Sequence, residues 1–203
     1  MYRIAAFVIL AFAAGCTETN SMQSQDVINS SPIQALAGEV ESIDDELPEM
    51  ATPRIVVEKA KRQLSVFDGE KLVRTFKVSL GFSPNGDKDR EGDGRTPEGQ
   101  FYIYTKNPKS QYYLSLGVSY PGSEDAERGL RDGLISKEQH DAIIEAVRQK
   151  KMPPQYTALG GLIYLHGGGT GKDWTYGCAA LADEDIRKIF NAIPIGTPVT
   201  ILP

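Results

Sequence analysis

Cysteine, histidine and tryptophan are all scarce in this chain of 203 residues, which holds two Cys, two His and one Trp. Two cysteines, Cys16 and Cys178, exclude the multi-bridged framework of a small disulfide scaffold. A zinc centre built from His166, Cys178 and Asp173 would lack a second usable imidazole and shows no zinc-type spacing. Lys and Arg are absent from residues 17–52, which carry eight acids and no aromatic side chain, a composition that cannot bury a core. The net charge is −5, yet residues 53–203 alone carry +2, without the basic bias that nucleic-acid binding asks for. No internal repeat is present.

The N-terminus reads as a targeting segment. Arg3 precedes an apolar run at residues 4–14 that is too short to cross a bilayer. Ala13-Ala14-Gly15-Cys16 follows and resembles the lipobox of bacterial lipoproteins, which implies lipidation of Cys16; the other reading is plain signal-peptide cleavage near the same point. Both readings export the protein. The expected organisation is a signal peptide at 1–16, an acidic tether at 17–52 and a folded domain at 53–203. A flexible tether of that length spans roughly 35 Å. Thr17 in place of Asp leans, by resemblance to lipoprotein sorting, toward the outer membrane of a diderm cell and a site on the periplasmic face. With Cys16 lipidated, Cys178 is an unpaired thiol in an exported domain, which calls for a reason.

Strand patterns dominate the first half of the domain. Residues 54–58 are β-branched and apolar, residues 63–67 alternate, Asp68-Gly69 signals a hairpin, and residues 72–80 form the return strand. Residues 83–99 read as a solvated polar loop; strands follow at 101–105, 162–165 and 199–202. One helix starts near Ser136, three before Gln139 in a capping-box pattern, and stops before Pro153-Pro154; another starts near Asp183. Many short strands and few helices predict a mainly-β sandwich with two or three short helices.

The chemistry concentrates in residues 164–181. A strand delivers His166, a glycine-rich loop follows, and Cys178 precedes a helix whose start can favour a nearby thiolate. An imidazole can take the thiol proton and return it to a leaving amine, and glycines beside a nucleophile let backbone N–H groups approach an oxyanion. The alternative reading of Cys178 is a small buried hydrophobe among Ala179, Ala180 and Leu181. His140 lies on a helix, four before Ile144, and reads as structural.

His166-Gly167 and Thr175-Tyr176-Gly177-Cys178 resemble the active site of the L,D-transpeptidases, the YkuD-domain enzymes, whose signature is His-Gly, a loop, then Ser/Thr-His-Gly-Cys. The resemblance runs over about residues 54–202, including Thr96-Pro97-Glu98-Gly99 and Gly196-Thr197-Pro198-Val199, and Asp173-Trp174-Thr175 matches a subgroup written Asp-Trp-Thr-x-Gly-Cys. Tyr176 replaces the second His of the signature, and Ala180 stands where Asn or Arg often follows. The resemblance implies a YkuD-like fold, Cys178 as nucleophile, His166 as base, and the Gly167 carbonyl orienting the imidazole. It places the amides of Tyr176, Gly177 and Cys178 around the oxyanion. It implies attack on peptidoglycan stem peptides between diaminopimelate and D-Ala, a thioester, and transfer to an amine, giving a 3→3 cross-link or attaching a wall protein. Neither metal nor other cofactor is called for, since the thioester keeps the donor bond energy. Trp174 is placed to stack on the stem or to fill an exposed core edge. Tyr112 and Tyr113 are expected along the donor groove, with Asp173 and Thr175 as further substrate contacts.

Three competing functions follow: a transpeptidase, a hydrolase on the same thioester route (a carboxypeptidase, or an amidase releasing wall-attached protein), and a non-catalytic wall-binding module. Asp87, Asp89, Glu91 and Glu98 imitate a calcium loop, but Gly94 and Pro97 break the pattern. Gly171-Lys172 fails as a phosphate loop because His166 and Asp173 stand where Gly and Ser/Thr are required.

Overall fold

The computed structural model describes residues 46–203; the expected signal segment, Cys16 and most of the expected tether lie outside that range. Eight strands form one curled sheet in the order β3-β2-β1-β8-β4-β5-β6-β7. The apolar, β-branched segment Pro53–Glu58 makes β1, which pairs antiparallel with β2 (Gln63–Asp68) and parallel with β8 (Pro198–Leu202). Strand β3 (Lys71–Lys77) returns antiparallel along β2. The turn is Gly69-Glu70, one residue later than the sequence suggests, because Asp68 still pairs with Lys71 and Gly69 takes the left-handed conformation, φ +56°.

The long strand β4 (Gly99–Ser110) joins the two halves of the sheet. Its first residues pair with β8 and the rest with β5 (Tyr113–Val118), which leads to β6 (Tyr164–His166) and the two-residue β7 (Ala179–Ala180). Both halves close on one core: Val57, Leu64 and Val66 from one side, Leu116, Val118 and Leu165 from the other, with Ile186 and Ile189 of helix α3 (Asp183–Ala192) packed among them. Full burial of each such side chain is worth about 1.5–3 kcal/mol, which is what holds the curled sheet shut. The architecture is mainly β with three helices, as expected.

Helix α2 (Lys137–Arg148) begins at Ser136, whose hydroxyl accepts from the Gln139 amide at 3.3 Å while Gln139 Oε1 accepts from the Ser136 amide at 3.0 Å. Helix α1 (Ser123–Arg131) has no counterpart in the sequence reading, since its buried face is Asp125, Ala126 and Gly129 rather than an apolar stripe.

Two further differences bear on the site. The packed chain starts ahead of Pro53: Leu47 is buried in the core and Glu46 pairs with Arg187. The 83–99 segment is pinned rather than merely solvated. Buried Lys59 donates to the Gly86 and Thr96 carbonyls and to Glu98, and fully buried Lys88 donates to Asp93 and the Arg90 carbonyl. The acids that imitate a calcium loop face cations of the chain itself: Asp87 meets Arg128, Asp89 meets Arg95, and Glu98 meets Lys59.

Candidate active site

Strand β6 runs parallel to β7 with Leu165 opposite Ala179 and His166 opposite Ala180, so Tyr164 comes alongside Cys178. Alternation sends Leu165 into the core and puts Tyr164 and His166 on the other face. There the two line a cavity of about 440 Å³ together with Tyr112, Ser115, Leu162 and Cys178.

The imidazole of His166 is 3% exposed and its Nδ1 lies 2.6 Å from the Gly167 carbonyl. A carbonyl only accepts, so Nδ1 carries the hydrogen and Nε2 keeps its lone pair. Tyr112 stacks on the ring, centroids 4.5 Å apart at 25°, and Trp174 meets it edge-on at 5.6 Å. Burial among these rings holds the imidazole below its ordinary pKa, with the Gly167 bond opposing. At neutral pH it is an unprotonated base.

Cys178 sits at the end of a braced loop. Leu80 anchors the entry: its carbonyl accepts from the Trp174 and Thr175 amides at 3.1 Å, and its amide donates to Asp173 at 2.9 Å. Ser79 and Ala180 exchange both backbone bonds just beyond the cysteine. Between these anchors the buried Thr175 hydroxyl donates to the Cys178 carbonyl at 2.8 Å and accepts from the Gly177 amide at 3.1 Å. Gly177 has φ +129°, and a Cβ there would come within 2.7 Å of the Arg95 carbonyl, so this loop closes only with glycine. Replacing Thr175 by Val leaves both partners unmet inside the protein, at about 1–3 kcal/mol each. We expect a lowered melting temperature in Thr175→Val and a larger proportional loss of turnover, read by calorimetry and a muropeptide assay on the same sample; unchanged turnover would remove Thr175 from the support of the site.

The thiol accepts from the Tyr164 amide at 3.4 Å and donates to the Leu162 carbonyl at 3.5 Å; no hydrogen bond joins it to His166. Burial pushes it up to about 11, against smaller lowering contributions from the Tyr164 amide and the Lys88 charge. The start of α3 is set back from the thiol by strand β7, Leu181 and Ala182, and burial raises the thiol. The resting pair is therefore neutral thiol and neutral imidazole. The thiolate is the nucleophilic form of a cysteine, and burial disfavours it in the resting site. We expect alkylation of the resting protein by iodoacetamide to keep rising past pH 9; a plateau below pH 8.5 would show a preformed ion pair instead.

Of the three amides expected around an oxyanion, one has a partner within the protein. The Gly177 amide is taken by Thr175, which leaves the Tyr176 and Cys178 amides without a partner among the described residues. Asp173 is turned to the protein, held by Arg62 at 2.7 Å and by the Leu80 amide, and Thr175 is buried, so neither faces the cavity. Tyr112, not Tyr113, lines it; Tyr113 is exposed in a left-handed turn, φ +72°. Tyr176 is 80% exposed and meets Phe82 edge-on at 5.4 Å. Sequence reasoning missed Tyr164, whose place on the His166 face was readable from alternation, and Leu162, whose φ of +55° left no sequence signal.

The YkuD family, described as the L,D-transpeptidase catalytic domain, matches residues 52–201. Among solved structures, the helical cell shape determining protein Pgp2 (K307A mutant) from Campylobacter jejuni superposes with a TM-score of 0.51 and 23% identity, over 77% of this chain and 49% of that one. Bd1075 from Bdellovibrio bacteriovorus gives 0.49 and 20% over 77% and 52%, and Mycobacterium tuberculosis L,D-transpeptidase 1 gives 0.41 and 16% over 75% and 62%. The similarity to Pgp2 concerns the fold. The chain spans about half the length of the first two of these proteins. No curated protein matches it.

Proposed function

Because the chain belongs to the YkuD family of L,D-transpeptidase catalytic domains, we propose that it is an exported, membrane-anchored acyltransferase that uses Cys178 as nucleophile and His166 as base on peptidoglycan stem peptides. The observation that carries this reading is the shared cavity. One cavity is lined by Cys178 and by His166, whose Nδ1 is tied to Gly167, and the amides of Tyr176 and Cys178 have no partner among the described residues. A structural cysteine needs none of these.

Substrate binding turns the thiol proton from the Leu162 carbonyl to His166 Nε2. Sγ then bonds to the carbonyl carbon between diaminopimelate and D-Ala, and the oxyanion takes the Tyr176 and Cys178 amides. Collapse breaks the C–N bond, His166 returns its proton to the leaving D-Ala amine, and a thioester remains on Cys178. An acceptor amine, giving its proton to His166, displaces the thiolate and forms the new amide; His166 then reprotonates Sγ. Burial of the thiol suits this order, since the charge appears only when the base and the electrophile are in place.

The test is incubation of the full chain with a diaminopimelate-containing disaccharide tetrapeptide, followed by mass spectrometry of the muropeptides. D-Ala release with a dimer supports transfer. D-Ala release without a dimer, in the presence of acceptor stems, moves the reading to hydrolysis. No release from tetrapeptide or from sacculi bearing attached protein would contradict enzymatic action.

A further inference from the structure

The glycine-rich loop that starts at His166 in the thiol cavity lines a second cavity at its other end. This one measures about 430 Å³ and is bordered by Lys61, Arg62, Lys77, Ser79, Thr170 and Lys172. Four cations thus face a single carboxylate, that of Asp173, in a domain whose overall charge is close to zero. Asp173 cannot neutralise them. Its oxygens are taken by Arg62 Nε and Nη2 and by the Leu80 amide. Lys61 is paired with Glu58 at 2.6 Å, whereas exposed Lys77 and Lys172 have no ion-pair partner among the described residues. Such a concentration of one sign raises the local concentration of anions.

Ser79 adds a directed donor. Its side chain lines the cavity and the residue is 2% exposed. Its oxygen accepts from the Gly171 amide at 3.1 Å, and its own proton has no acceptor among the described residues. A buried hydroxyl proton without a partner is a donor waiting for a ligand. The cavity is also tied to the loop that carries Cys178 by hydrogen bonds and an ion pair. Ser79 exchanges backbone bonds with Ala180, two residues past Cys178, and Arg62 grips Asp173, next to Trp174.

We propose that this cavity is a carboxylate-binding subsite for the peptidoglycan stem, which anchors the peptide while its reacting carbonyl lies at Cys178. The assignment rests on the acyltransferase reading above. From His166 to Thr170 the backbone advances at most about 14 Å, and an extended tetrapeptide spans about the same distance. A stem peptide carries several free carboxylates, so one can meet Lys77, Lys172 and Ser79 while another part of the same chain reaches the thiol.

The experiment uses the full chain carrying Cys178→Ala, so that ligand is bound and not consumed. The probes are the disaccharide tetrapeptide, the same compound with its carboxylates amidated, and inorganic phosphate. Affinity is measured by calorimetry at two salt concentrations, and the Gly171 amide is followed by NMR. Lys77→Glu with Lys172→Glu is expected to weaken tetrapeptide binding at least tenfold and to flatten its salt dependence; Lys77→Arg with Lys172→Arg is expected to keep both. Unchanged affinity in the reversed variant overturns the subsite. So does equal binding of the amidated probe, and so does a Gly171 shift produced by phosphate alone, which would assign the cavity to a phosphate-bearing polymer. D-Ala release by the unmodified protein is scored separately. Turnover with unchanged binding in the reversed variant leaves the acyltransferase reading standing and removes only the subsite.

Discussion

Cys178→Ala is expected to fold normally and to lose turnover by a factor on the order of 10⁶, the scale seen when a covalent nucleophile is removed. The substitution deletes one sulfur that makes two weak contacts, with the Tyr164 amide and the Leu162 carbonyl, while the bracing of the loop by Thr175, Leu80 and Ser79 runs through groups it leaves in place. Circular dichroism and melting temperature should therefore match the parent within a few degrees. A variant that still releases D-Ala at the parental rate would place the chemistry elsewhere. A parent as inert as its variant on every wall substrate would favour a binding module of the same fold.

His166→Gln should cost roughly 10²–10⁴-fold in turnover, the usual contribution of a positioned general base. The amide side chain can still donate toward the Gly167 carbonyl and pack under Tyr112, so its failure would report the missing lone pair more than lost packing. The companion measurement is the pH profile. The parental acid limb should fall below the ordinary imidazole value near 6.5, since burial lowers this group, and should disappear in the variant. A variant with parental rate and an unchanged acid limb would mean that another group accepts the thiol proton.

How far the site could be read from sequence depended on where its parts lie in the chain. Cys178 and His166 stood out as candidates because a strand, a glycine-rich loop and a short turn place them within one contiguous stretch, and both line one cavity. The Gly167 carbonyl, expected only through family resemblance, stands 2.6 Å from Nδ1. The amides expected around an oxyanion were less legible. A Thr hydroxyl two residues before Gly177 captures its amide, a contact that depends on the exact path of the turn. Tyr112 and Tyr113 are adjacent and chemically equal; the left-handed backbone at Tyr113 decides which ring stacks on His166.

The same holds for the scaffold. Strands β1, β2 and β8 announce themselves through β-branched and alternating residues. Strand β5 does not, because Gly117 interrupts it where a Cβ would come within 2.7 Å of the Tyr104 ring. Helix α1 hides behind small and charged residues: Asp125 is buried against Arg128, and burial pushes its carboxyl up to about 6 despite that cation. Leu47 joins the core, with Met50 packed against it, from a stretch whose composition is otherwise that of a tether, since two apolar side chains seat a segment with little change to its average.

The most direct measurement is the intact mass of the full-length protein shortly after mixing with the stem tetrapeptide, with the adduct mapped by proteolysis. Acyl transfer through Cys178 predicts a mass increase equal to the donor stem less D-Ala, carried by the peptide containing Cys178 and removed by an amine acceptor or hydroxylamine. D-Ala release without any such adduct under rapid quenching, or an adduct on another residue, would contradict it.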